Sequence, residues 1–237
     1  MAGVIGWHEL FTDDVERASL FYAELLGTEI ETAQMGDFDY PMLKRDGKTH
    51  CGFVRKPDGG PRNHWYPYVV VDDVDAAVER ATSLGAELYH GPGEVEGEGI
   101  RFAVLGDPQH ATFGVLSSPN PPASGLFVWD ELHATDTQAA KQYYTGLFGW
   151  TATAAMENYE FLSAGETQVG GLYADGETPG AYWLTYLTVD DVDAAHEKAK
   201  SLGASEIIAP ADIPNIGRFS VINDPTGAEV GLYKSAN

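Results

Sequence analysis

The stretch "VDDVDAAVERATSLGAEL" at residues 71–88 returns as "VDDVDAAHEKAKSLGASE" at 189–206, an offset of 118. Each copy leaves a strand-like run, passes an Asp at the N-cap and carries alanines and valine at helical spacing. Gly85 or Gly203 then ends it. A repeat of this length must be settled before any single motif, because it decides the architecture.

Other matches extend the repeat in both directions. "GWHELFTDDVERASLFYAELLG" (6–27) answers "VWDELHATDTQAAKQYYTGLFG" (128–149), with Trp7 and Trp129 offset by 122. "DPQHATFGV" (107–115) answers "DPTGAEVGL" (224–232), offset 117. A fainter period lies inside each half: "TDDVERA" (12–18) resembles "VDDVDAA" (71–77), and "ATDTQAA" (134–140) resembles 189–195, offsets of 59 and 55. The chain is therefore read as four modules of fewer than 60 residues.

Every module starts with a strand such as "WHELF" or "YPYVVV", which runs into a helix capped by Asp13 or Asp72. In the first helix Val15, Ala18, Phe21, Tyr22, Leu25 and Leu26 make one apolar stripe. Runs such as "FDYPMLKRDGKTHCGFVRK" (38–56) and "IRFAVLGDPQHATFGVLSS" (100–118) supply the remaining strands and turns. The predicted class is α+β: four βαβββ modules paired into two domains, 1–118 and 126–237, across a linker at 119–125 within "SSPNPPASG".

Composition narrows the function. Thirty-six acidic against 14 basic residues give a formal net charge of −22, which repels nucleic acid and anionic membranes, so neither is expected as a partner. A single cysteine, Cys51, excludes an internal disulfide framework and fits a reducing cytoplasm. It reads as a small buried thiol. The N-terminus lacks a basic region followed by an apolar one, and no run reaches the length of a membrane span. The expectation is a cytoplasmic monomer or homodimer.

The "TDDVERASLFYAELLG" and "VDDVDAAVERATSLGAEL" stretches, with the Asp-Pro turns at 107–108 and 224–227, resemble the vicinal oxygen chelate superfamily over essentially the whole chain. That superfamily includes glyoxalase I, extradiol dioxygenases, fosfomycin-modifying enzymes and bleomycin-resistance proteins. The tandem arrangement is most similar to two-domain actinobacterial members. The resemblance implies two glyoxalase/bleomycin-resistance-like domains, each a pair of modules around a ligand cup. Metal-dependent members place His, Gln or Glu on the first strand of a module and Glu on the last. The corresponding positions here are Trp7, Tyr66, Trp129 and Leu184, then the neighbourhood of Gly52, Gly114, Gly170 and Gly231. This set cannot assemble the usual N/O ligands, so no metal and no other cofactor is expected. His8 and Asp130 share a strand face with Leu10 and Leu132, toward the helices. His50 and His110 read as isolated surface or turn residues.

Alternation puts Glu9 and Phe11 on the face of Trp7, and Glu131 and His133 on that of Trp129. Tyr66 and Tyr68 join from module two, Tyr186, Glu229 and Tyr233 from module four. Aromatic walls suit a flat or apolar ligand. Glu131 beside His133 is the candidate catalytic pair, able to act as a tuned general base. Two structural readings stay open: the tryptophans plug the cups, or the glutamates only bond backbone or each other. The glycine-rich "GPGEVEGEG" (91–99) is acidic, unsuited to phosphate, and reads as a mobile loop. The expected function is metal-independent binding of an aromatic or apolar metabolite, accessory to natural-product resistance or biosynthesis. The alternative is an enzyme: a glyoxalase-like lyase, or a cofactor-independent isomerase, hydrolase or hydroxylase-type biosynthetic enzyme.

Overall fold

The computed structural model describes residues 3–36, 38–120, 125–174 and 180–236. Module one comprises β1 (Ile5–Thr12), α1 (Val15–Leu26), β2 (Glu29–Met35), β3 (Phe38–Arg45) and β4 (Lys48–Arg55). Module two comprises β5 (His64–Val70), α2 (Val74–Ser83), β6 (Glu87–Val95), β7 (Ile100–Gly106) and β8 (Thr112–Ser117). Module three comprises β9 (Phe127–Ala134), α3 (Thr137–Phe148), β10 (Thr151–Met156), β11 (Tyr159–Ala164) and β12 (Thr167–Ala174). Module four comprises β13 (Tyr182–Thr188), α4 (Val192–Ser201), β14 (Ser205–Ile213), β15 (Gly217–Asn223) and β16 (Glu229–Ser235). The βαβββ order thus occurs four times, as the repeats require. Of the expected linker, residues 121–124 lie outside the described residues.

The strands form two eight-stranded sheets, ordered β2-β3-β4-β1-β5-β8-β7-β6 and β10-β11-β12-β9-β13-β16-β15-β14. Within a module the first strand runs parallel to the last, a pairing that needs the intervening helix as crossover. That register sets Glu9 beside Gly52 and Glu131 beside Gly171. The remaining strands of each module pair antiparallel.

Two local expectations need correction. The helices are capped by Asp14, Asp73, Asp136 and Asp191, so the caps fall one residue after Asp13 and Asp72. Geometry decides between adjacent aspartates, because the capping carboxylate must reach the N–H three residues on, as Asp14 reaches Arg17 and Asp73 reaches Ala76. The "GPGEVEGEG" segment is not a free loop: residues 91–95 end β6, with Gly93, Glu94 and Val95 paired to β7, and only the hairpin turn remains. Gly27 and Gly149 close α1 and α3 with left-handed φ of 62° and 69°, which glycine adopts without a Cβ clash.

Packing groups the modules differently from the sheets. Among the described residues, one compact unit contains 3–7, 66–120, 129–174 and 180–184, the other 8–36, 38–65, 125–128 and 185–236. Modules two and three therefore supply most of one core, including Leu105, Phe113, Leu132, Tyr144 and Leu172, joined by Trp183 from β13 of module four. Modules one and four supply most of the other, including Leu10, Tyr22, Phe53, Val230 and Leu232, joined by Trp65 from β5 of module two.

Each core is tied by the same buried polar triad. In the module one–four unit, Trp65 Nε1 donates to Tyr22 Oη at 2.8 Å, and Tyr22 donates to Asp224 Oδ2 at 3.0 Å. In the module two–three unit, Trp183 Nε1 donates to Tyr144 Oη at 3.3 Å, and Tyr144 donates to Asp107 Oδ2 at 3.1 Å. The other oxygen of each aspartate closes its own Asp-Pro turn. Asp107 Oδ1 accepts from the Gln109 and Ala111 N–H groups, and Asp224 Oδ1 accepts from those of Thr226 and Ala228. Burial raises both carboxyls above their ordinary range, an effect these hydrogen bonds only partly offset.

Adjacent tyrosines should respond with opposite signs. Tyr144→Phe, like Tyr22→Phe, strands a buried carboxylate oxygen and an indole N–H and should cost about 1–3 kcal/mol. The Tyr143 hydroxyl is buried with no hydrogen-bond partner among the described residues, and its equivalent in module one is Phe21. Tyr143→Phe should therefore hold or raise the thermal midpoint while Tyr144→Phe lowers it.

The raised Asp107 carboxyl makes a separate test in pH. Asp107 binds its proton more tightly folded than unfolded, so its contribution is fullest below the unfolded pKa and is lost as pH rises to the folded one. The deficit of Asp107→Asn against wild type, read from urea midpoints, should shrink as pH rises above the ordinary aspartate value of about 4. A deficit that grows with pH would contradict the burial assignment.

Candidate functional site

The faces opposite the helices carry the predicted site residues. Leu10 and Leu132 are fully buried in the helix-side cores, and His8 on their face stacks on Phe127 at 3.9 Å. Asp130 is likewise buried. Strand alternation therefore turns Trp7, Glu9 and Phe11, and Trp129, Glu131 and His133, to the other side.

In the module two–three unit the structure brings Trp129, Glu131 and His133 into one hydrogen-bonded group. Trp129 Nε1 donates to Tyr159 Oη at 2.7 Å, and the Tyr159 phenol is hydrogen-bonded to Glu131. Glu131 Oε1 lies 2.9 Å from His133 Nε2. Aromatic rings complete the surround. His133 stacks on Tyr182 at 4.6 Å and meets the edge of Tyr173 at 5.2 Å, while Trp129 meets Phe161 edge-on at 5.8 Å. The Glu131 and His133 side chains keep 15% and 10% of their exposure, so neither is fully sealed in the core. Burial, then the Glu131 charge, pushes the Tyr159 phenol far above its ordinary value, so it remains a donor at all ordinary pH.

Tyr66 and Tyr68, in the same unit, sit with ring centroids 5.5 Å apart. In the module one–four unit, Tyr40 Oη donates to Glu9 Oε1 at 2.5 Å, repeating the Tyr159–Glu131 contact. Phe11 there meets the edge of His64 at 5.8 Å, Tyr186 that of Phe219 at 6.5 Å, and Glu229 lies 3.4 Å from Arg62. Tyr233 donates to the Ile216 carbonyl at 2.8 Å. Phe11 occupies the position equivalent to His133, so β9 carries an imidazole on its own strand, whereas the imidazole beside Phe11 is that of His64 on β5.

The last-strand glycines explain the tyrosines. A Cβ on Gly52 would overlap the Tyr40 hydroxyl, on Gly171 that of Tyr159, and on Gly114 and Gly231 the rings of Tyr68 and Tyr186. In module three the covered position is Gly171, one residue beyond the Gly170 expected, because Gly171 is the partner of Glu131 in register. A metal-bearing carboxylate at any of these four positions would collide with a ring. Indole, phenol and alkyl side chains hold the first-strand positions, so the residues present do not fit a divalent ion. Among the described residues no group of three His, Cys, Asp or Glu stands together as a cation would need. His50, read as a surface or turn residue, is instead buried on β4 with its ring against Gly125. His110 does lie in a turn, and Cys51 is fully buried with its thiol pushed up by burial.

Sequence reasoning missed Tyr40 and Tyr159. The available signal was a tyrosine on the third strand of a module facing glycine on the fourth, in both copies.

Comparison with known proteins agrees with this architecture. The family model described as a glyoxalase-like domain matches residues 9–116, and that of the glyoxalase/bleomycin resistance protein/dioxygenase superfamily matches 128–232. CFP32 of Mycobacterium tuberculosis, provisionally named a glyoxylase, is 32% identical over 99% of this chain and 95% of its own. DnrV of Streptomyces peucetius, named an anthracycline biosynthesis protein, is 32% identical over 47% of this chain and 48% of its own. In fold, the Mn(II)-bound glyoxalase of Novosphingobium aromaticivorans superposes with a TM-score of 0.71 at 17% identity, covering 98% of this chain and 83% of that one. The 2,3-dioxygenase LapB of Pseudomonas sp. KL28 gives 0.69 at 12% identity, covering 100% and 94%. The chain belongs to the glyoxalase/bleomycin resistance protein/dioxygenase superfamily, as a tandem two-copy member. No helix among the described residues is long and apolar enough to cross a membrane.

Gly171→Ala should force the Tyr159 ring off its seat. We expect a thermal midpoint lowered by the equivalent of more than about 1 kcal/mol. Gly180→Ala, with nothing within 4 Å of its added methyl, should stay within about 0.5 kcal/mol of wild type.

Proposed function

We propose that the protein binds an aromatic or apolar small molecule without a metal, against the module-three face built from Trp129, Glu131, His133 and Tyr159. The observation that carries this reading is the replacement of the ligand set by a tyrosine-anchored carboxylate inside an aromatic surround. Indole and phenol faces supply stacking area, and a few fixed polar groups orient the ligand. The names of DnrV and of DauV from Streptomyces sp., both anthracycline biosynthesis proteins, support an accessory place in making or withstanding a natural product.

A second reading keeps the same site and adds turnover. The 2.9 Å contact between His133 and Glu131 favours it, since a carboxylate-oriented imidazole can take and return a proton. A cofactor-independent isomerase, lyase or hydrolase needs no more than this pair plus a bound substrate.

Trp129→Ala should weaken binding of an aromatic metabolite by about 1–3 kcal/mol, measured by calorimetric titration. His133→Ala should preserve folding and leave most of that affinity. Conversion of a bound ligand by wild type but not by His133→Ala would establish the turnover reading over simple binding. Unchanged affinity in Trp129→Ala would remove the site from this face.

A further inference from the structure

Glu131 is the polar centre of the module-three face, and among the described residues its partners are Tyr159 and His133. An ionised carboxylate offers about four lone-pair positions, so two donors leave acceptor capacity unused. The side chain retains 15% of its exposure, so the residue is not fully closed off from solvent. Tyr159 cannot drift away. Its ring lies over Gly171, where any Cβ would overlap the hydroxyl, and its Oη is fixed by Trp129 Nε1 at 2.7 Å. The other copy preserves this device with a phenyl, Phe11, at the position of the first-strand imidazole, and with Tyr40 over Gly52 donating to Glu9 at 2.5 Å. Two copies that differ at Phe11 and His133 thus share the tyrosine–glutamate clamp.

Resting on the small-molecule reading above, we propose that the site selects aromatic ligands bearing a hydrogen-bond donor, a phenolic O–H or an N–H, on the edge that meets Glu131. Tyr159 is the positioning residue that holds the carboxylate to receive it. The rings of Trp129, Phe161, Tyr173 and Tyr182 accept the flat body of such a ligand but supply no preference for its edge. Glu131 supplies the preference by accepting a donor, leaving a donorless ether unsatisfied and repelling a carboxylate. A formal charge of −22 on the chain acts in the same direction against anions.

Calorimetric titration of the full chain with 2-naphthol, 2-methoxynaphthalene and 2-naphthoate tests this. We expect 2-naphthol to bind at least about tenfold more tightly than the methyl ether, the scale of one lost hydrogen bond to a charged acceptor, and naphthoate to bind weakest. Glu131→Gln should raise naphthoate affinity, because the amide can donate. Tyr159→Phe should bring the naphthol-to-ether ratio toward one while the ether still binds, a change in selectivity that a purely structural role would not produce. Equal binding of naphthol and its ether by wild type overturns donor selection and leaves the aromatic-face reading standing. So does naphthoate affinity unmoved in Glu131→Gln. If none of the three probes binds, or if all bind unchanged in Trp129→Ala, the module-three face itself is refuted and the donor proposal falls with it.

Discussion

The buried Asp–Tyr–Trp triad is the contact on which the architecture rests. Its aspartate lies in a turn of one repeat and its tyrosine on a helix of the other: Asp224 with Tyr22, Asp107 with Tyr144. A carboxyl held in an apolar core is costly unless every oxygen is occupied. Here one oxygen folds the turn and the second takes the phenol, while the phenol accepts from tryptophan. One side chain thus shapes local backbone and fixes a distant helix. Because each triad joins modules from different repeats, the apolar cores follow the same partition, two with three and one with four.

With the helix faces so committed, the opposite faces are left for chemistry, and a row of glycines controls what can stand there. Gly52, Gly114, Gly171 and Gly231 each lie under a tyrosine. Absence of a side chain on one strand makes room for a large ring from its neighbour, and in two modules that ring's hydroxyl holds a glutamate. The fold of metal-bearing relatives is retained with a different set of interior groups. Backbone register, and not the loops, decides which residues meet.

Much of this was legible in the residues. Four concordant repeats gave the module order, and strand alternation separated Leu10 and Leu132 from Trp7 and Trp129. Adjacent aspartates at 13–14 and 72–73 were ambiguous because both have the right chemistry and only the reach of the carboxylate distinguishes them. Gly170 and Gly171 were ambiguous for the same reason: sequence does not fix register between strands separated by a helix and two hairpins. Tyr40 and Tyr159 escaped because their role depends on a glycine across the sheet. The buried triad escaped because its members lie 202 and 43 positions apart, or 37 and 39, and no local pattern links them.

The partition of the cores has a consequence for how such a duplicated chain can change. A mutation at Tyr22 is felt at Asp224, in the other copy, so the helix-side residues of the two repeats must drift together or not at all. Neither copy could be deleted without leaving half of each core bare. The opposite faces are not joined by such a triad, and there the copies have already parted, imidazole in one and phenyl in the other at His133 and Phe11. Duplication here binds the scaffolds into a single inheritance and leaves each copy's reactive surface to evolve alone.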